Sequence, residues 1–143
     1  MSFLQSLNIS GSALTAQKLR MNIISQNIAN AQTTRTEDGG PYIKKNVVFS
    51  SSDVDVSFAG TLNNAQKIQG VEVSAIVDSE EELTSVYNPD HPDADENGYV
   101  LMPNVDTVEE MIDMISATRS YEANITAFNA LKSMATSALD IGR

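Results

Sequence analysis

The sequence predicts an α+β protein: an antiparallel coiled-coil pair of long N- and C-terminal helices, carrying a small β-rich insert and an extended proline-rich arm. Three observations point that way. Apolar residues recur at helical spacing from about Phe3 to Ala31 and again from about Val105 to Ile141. The roughly 70 residues between them carry strand and turn signals instead. A helix that buries one stripe needs a partner, and the only long amphipathic partner within the chain is the other terminus.

The first helix occupies a segment spanning residues 1–33. Leu7, Leu14, Met21 and Ile28 fall every seven residues, flanked by Leu4, Ile24 and Ala31. Gly11, Lys18 and Ser25 stand where a strict coiled coil needs a second apolar row, so the seam is narrow. A further set, Ile9, Ala16 and Ile23, widens the apolar arc beyond the needs of one neighbour. The helix should stop between Ala29 and Gln32, where Asn30 and the Thr33-Thr34 pair favour turns over helix.

Residues 34–87 form the insert. It opens on a breaker cluster, Glu37-Asp38-Gly39-Gly40-Pro41. Tyr42–Phe49 reads as a strand, and a weak Val54/Val56/Phe58 alternation as an edge strand or extended loop. Val71, Val73, Ala75 and Val77 give the clearest strand signal, with Leu83–Tyr87 as a short partner. Residues 88–104 hold Pro89, Pro92 and Pro103 with an Asn97-Gly98 turn, a pattern that predicts an extended arm ordered by contact.

The second helix fills residues 105–143. Asp106 or Thr107 caps its start, with Glu109 or Glu110 completing a capping box, and Gly142 marks its end. Met114, Tyr121, Phe128 and Ala135 make one heptad row; Ala117, Asn124, Leu131 and Ala138 make the row beside it. Val108, Ile115 and Ile125 form a second apolar set, as on the first helix. At 1.5 Å per residue the helices would be roughly 40 and 50 Å long, a length that suits a rod rather than a globule.

Composition excludes much. At 143 residues the chain is one or two small domains, and without cysteine or tryptophan it has no disulfide framework or zinc cluster. No signal peptide and no apolar run long enough to span a bilayer is evident, so membrane insertion is not expected. The net charge of −10 is uneven. Residues 1–36 hold three bases and no acid, while residues 78–113 hold twelve acids and no Lys or Arg. Such a surface repels nucleic acid. The lone His91 has no nucleophile or second ligand near it in sequence, and no catalytic constellation or cofactor motif appears, so an enzyme is not predicted. Asp93-Ala94-Asp95-Glu96-Asn97-Gly98 matches the first half of a calcium loop. Its twelfth position, Asn104, replaces the bidentate Glu, and Pro89 and Pro92 break the helix that should precede it. An extracellular calcium- or ligand-binding domain using the acidic 78–113 stretch is therefore the runner-up reading.

Ser25-Gln26-Asn27-Ile28-Ala29-Asn30-Ala31-Gln32-Thr33 resembles the signature closing the N-terminal helix of bacterial flagellar axial proteins. The C-terminal block is more specific: Asn88-Pro89-Asp90-His91-Pro92, then Asp95-Glu96-Asn97-Gly98-Tyr99-Val100, Met102-Pro103-Asn104-Val105 and Arg119-Ser120-Tyr121-Glu122-Ala123-Asn124. It is similar to the rod members of that family, though another rod or hook subunit is a near rival. The resemblance implies a structural subunit of the proximal rod, stacked helically around an export channel and transmitting motor torque. It implies copies of itself, other rod proteins, the rod-base adapter and the type III export apparatus as partners, with export that needs no cleaved signal. On that reading Leu7, Leu14, Met21, Ile28, Met114, Tyr121, Phe128 and Leu131 carry the packing. Asn27, Asn30 and Thr33 would turn the chain out of the helical layer into the insert.

Overall fold

A computed structural model describes residues 3–37, 39–53 and 69–141 and shows an α+β chain. Among the described residues, helix α1 (Phe3–Ala29) and helix α2 (Thr107–Ile141) flank four strands: β1 (Lys45–Asp53), β2 (Gln69–Asp78), β3 (Thr84–Tyr87) and β4 (Tyr99–Met102). The helices pack on one another, with Asn27 of α1 beside Glu110 of α2 and Met21 beside Thr118, so the two run in opposite directions.

Each helix end has a local cause. At the close of α1 the Asn30 side chain donates from Nδ2 to the Gln26 carbonyl (2.9 Å), and the Thr33 N–H donates to the Asn30 carbonyl (3.0 Å). These bonds offer the chain a turn in place of another helical residue. At the start of α2, Asp106 Oδ1 accepts from the N–H groups of Val108 (2.8 Å) and Glu109 (3.3 Å), which makes Asp106 the cap. Glu109 and Glu110 do not reach back to close the expected capping box; both carboxylates point to Lys44 instead.

β1 and β2 form an antiparallel pair from Lys45 opposite Asp78 to Asp53 opposite Gln69, with a register shift between Val48 and Phe49. The first strand begins three residues later than Tyr42, where the pattern places it. The backbone N–H of Tyr42 goes to the Thr33 carbonyl (3.0 Å) and that of Lys44 to Asn104 Oδ1 (2.8 Å), so neither joins the ladder. The Val54/Val56/Phe58 alternation and the Gly142 stop lie outside the described residues.

The stretch 88–104 is not one extended arm. β3 and β4 pair antiparallel, from Thr84 opposite Met102 to Tyr87 opposite Tyr99, and residues 88–98 turn the chain between them. Asp95 drives the reversal: its Oδ1 accepts from the N–H groups of Asn97 (2.9 Å) and Tyr99 (2.8 Å). Gly98 follows at φ +81°, where a Cβ would stand 3.0 Å from the Tyr87 ring. Only glycine meets both conditions.

The core is thin. Among the described residues, Ala16, Ile23, Ile24, Val100 and Ala117 are its buried hydrophobic side chains, joined by the polar Ser10, Asn27, Asn104 and Glu110.

Candidate assembly site

Along α2 one row of side chains is withdrawn from solvent. Met114, Tyr121, Asn124, Phe128, Leu131 and Ala135 are each half-buried and Ala117 is buried, at alternating spacings of three and four. On α1, Leu7, Leu14, Met21 and Ile28 are also half-buried. Met21 meets α2 directly, since Thr118 Oγ1 lies 3.6 Å from its sulfur while donating to the Met114 carbonyl.

The second apolar sets behave differently on the two helices. On α1, Ala16 and Ile23 are buried within the chain. The β1–β2 pair packs on α1. The Val71 N–H donates to Ser12 Oγ (3.1 Å), and Ile23 and Ile24 line a cleft of about 300 Å³ together with Val47 and Phe49, and with Glu110 and Asp113 of α2. Of the described elements, only α1 packs on α2. Val108 (64% exposed), Met111 (53%), Ile112 (62%) and Ile115 (54%) therefore lie open. Their i, i+3, i+4, i+7 spacing puts them on one face, roughly opposite the seam. Leu139 is more exposed still.

Where the helix ends meet the insert, a buried polar knot joins five segments. Asn27 uses its whole bonding capacity there. Its Nδ2 donates to the Lys45 carbonyl (3.0 Å) and to Glu110 Oε2 (3.0 Å). Its Oδ1 accepts from the Tyr42 hydroxyl (2.9 Å) and the Lys45 N–H (3.0 Å). Glu110 Oε1 lies 3.1 Å from Lys44 Nζ, and the Glu110 side chain is 3% exposed. Asn104 completes the knot, accepting from the Lys44 N–H and donating from Nδ2 to the Glu81 carbonyl (3.0 Å). Burial by itself would lower the Lys44 ammonium; the Glu110 hydrogen bond and the charges of Glu110, Glu109 and Glu81 outweigh it and hold the group above its ordinary value. Burial, then the charges of Asp78 and Glu110, push the Tyr42 phenol upward as well.

The three asparagine and threonine positions of the turn motif separate by role. Asn27 binds across the fold, whereas Asn30 and Thr33 bond to each other (3.2 Å) and to the local backbone. No sequence pattern marks Glu110, Lys44, Tyr42 or Asn104 as members of one site. Glu110 did carry a signal, because it stands four residues before Met114 on the seam row, where a carboxylate needs a buried partner.

The acidic 78–113 stretch gathers no metal ligands. Among the described residues no group of three or more His, Asp or Glu side chains is placed to hold an ion. Asp95 is occupied by the hairpin backbone, and Asp93 Oδ2 accepts from Thr34 Oγ1 (2.8 Å) while Oδ1 faces Arg35 at 4.0 Å.

Two family models and full-length relatives match the chain. Residues 7–35 match the family described as flagella basal body rod protein, and residues 96–141 match the C-terminal family of flagellar basal body rod FlgEFG proteins. The chain is 45% identical to the flagellar basal-body rod protein FlgC of Bacillus subtilis, across all of both chains. It is 45% identical to FlgC of Borreliella burgdorferi over 99% of this chain and 98% of that one, and 43% identical to FlgC of Salmonella typhimurium over both full lengths. With two opposed terminal helices, an insert between them and full-length similarity of this degree, the chain belongs to the FlgC family of flagellar basal-body rod proteins.

Proposed function

We infer that the chain is a structural subunit of the flagellar basal-body rod and resides in the basal body. The observation that carries this reading is the open apolar face of α2, Val108–Met111–Ile112–Ile115, on a chain similar over its whole length to rod proteins. A solitary molecule gains nothing from such a face. The whole chain exposes 10136 Å², against roughly 7,200 Å² for a compact monomer of this mass. Neighbours in an assembly would cover part of that surface.

In this account α1 and α2 form the coiled-coil inner layer, residues 1–33 and 105–143, and the seam from Met114 to Leu131 joins them. The β1–β2 and β3–β4 pairs stand outward. Asn27, Asn30 and Thr33 direct the chain from the inner layer into the first of them. Copies of the chain, other rod proteins and the adapter at the rod base occupy the α2 face. The export apparatus delivers the chain through the central channel, and the assembled shaft carries motor torque. Ile112→Asp tests the reading in cells. It should leave the purified chain folded by circular dichroism while abolishing rod assembly and swimming; normal swimming would contradict the role given to that face.

A further inference from the structure

We propose that the Asn27–Glu110–Lys44 knot sets the axial register of the two terminal helices, a role the apolar seam cannot fill. The seam repeats itself. A slip of one heptad replaces Met114 by Tyr121, Ala117 by Asn124, Tyr121 by Phe128 and Asn124 by Leu131, in each case one seam residue for another. On α1 the half-buried row Leu7, Leu14, Met21 and Ile28 is likewise apolar throughout and repeats every seven residues. Of these exchanges only Ala117 to Asn124 sets a larger, polar group at a buried position, a single mismatch against the several that the knot would suffer. The knot forbids the slip, because its groups match one to one: both Glu110 oxygens and all four bonding positions of Asn27 are filled in the observed register. A slip carries Glu110 roughly 10 Å along the axis. It would leave a carboxylate, an ammonium and an amide buried without partners. A buried polar contact that fixes the register of an otherwise permissive helix pair is well precedented in coiled coils. This role is intramolecular and does not depend on rod assembly.

Thiol cross-linking of the full chain reads the register directly, since the chain has no cysteine of its own. Met21→Cys with Thr118→Cys reports the observed pairing, because these side chains meet at 3.6 Å. Met21→Cys with Ile125→Cys, and with Met111→Cys, report slips of one heptad in either direction. The cross-linker is chosen shorter than one heptad of helix. With the knot intact, only the Thr118 pair should form product. In the Asn27→Leu/Glu110→Leu background that product should lose most of its yield, and product should appear at a slipped position, while helical circular dichroism persists. Should the double variant fail to fold, Asn27→Leu alone is read the same way. Glu110→Gln, which can still accept from Asn27, should restore the Thr118 pairing. Exclusive cross-linking at Thr118 in the leucine variants, or slippage in Glu110→Gln equal to theirs, would overturn the proposal.

Discussion

Ile23 on α1 and Ile112 on α2 belong to apolar sets of the same helical period, yet one is 6% exposed and the other 62%. The difference lies in what the chain between the helices does. It returns over α1, seating Val71 on Ser12 and Val47 and Phe49 near Ile23 and Ile24, and places no strand on α2. Periodicity tells which residues must leave water; it does not tell whether the chain itself or a neighbour removes them. One face stabilises the fold, and the other is left for assembly.

Substitutions grade this contrast. The largest effect is expected where the two helices and the insert meet. Glu110→Ala should cost about 3–5 kcal/mol in urea unfolding, because it strands the Lys44 ammonium and the Asn27 amide in a buried site. Next is the covered face: Ile23→Ala should cost about 2–5 kcal/mol, whereas Ile112→Ala on the open face should stay within about 0.5 kcal/mol. Equal losses at both positions would erase the distinction between the faces.

A pH series sharpens the same junction. Tyr42 and Lys44 both hold their protons more tightly in the fold than in the unfolded chain, whose ordinary values are 10.0 and 10.5. Their contribution is thus complete below those values and is lost as pH rises through the raised ones. Urea midpoints should fall above about pH 10, and less steeply in Tyr42→Phe. At the small end, Arg20→Ala removes a half-exposed 3.0 Å pair with Asp113 and should cost about 0–1 kcal/mol, less in high salt.

The helices were legible because heptad repetition is a local property of sequence. Rows such as Met114/Tyr121/Phe128 declare their face without reference to anything distant. The β2 strand was legible for the same reason, through its Val71/Val73/Ala75/Val77 alternation. What was hidden depends on contacts across long separations. The start of β1 moved to Lys45 because Lys44 bonds to Asn104, 60 positions away, and Asn27 reaches Glu110 across 83. β4 was concealed by the prolines around it, although the Asn97-Gly98 turn before Tyr99-Val100-Leu101-Met102 marked a hairpin. The fate of the Ala16/Ile23 set could not be read at all, since no local pattern records which element will fold back over it.

The measurement closest to the central claim is thiol accessibility on the α2 face. Ile112→Cys should react rapidly with a maleimide in the purified chain and become protected in isolated basal bodies that contain it. Equal reactivity in the free chain and in intact basal bodies would show that no neighbour covers this face, and would contradict the account.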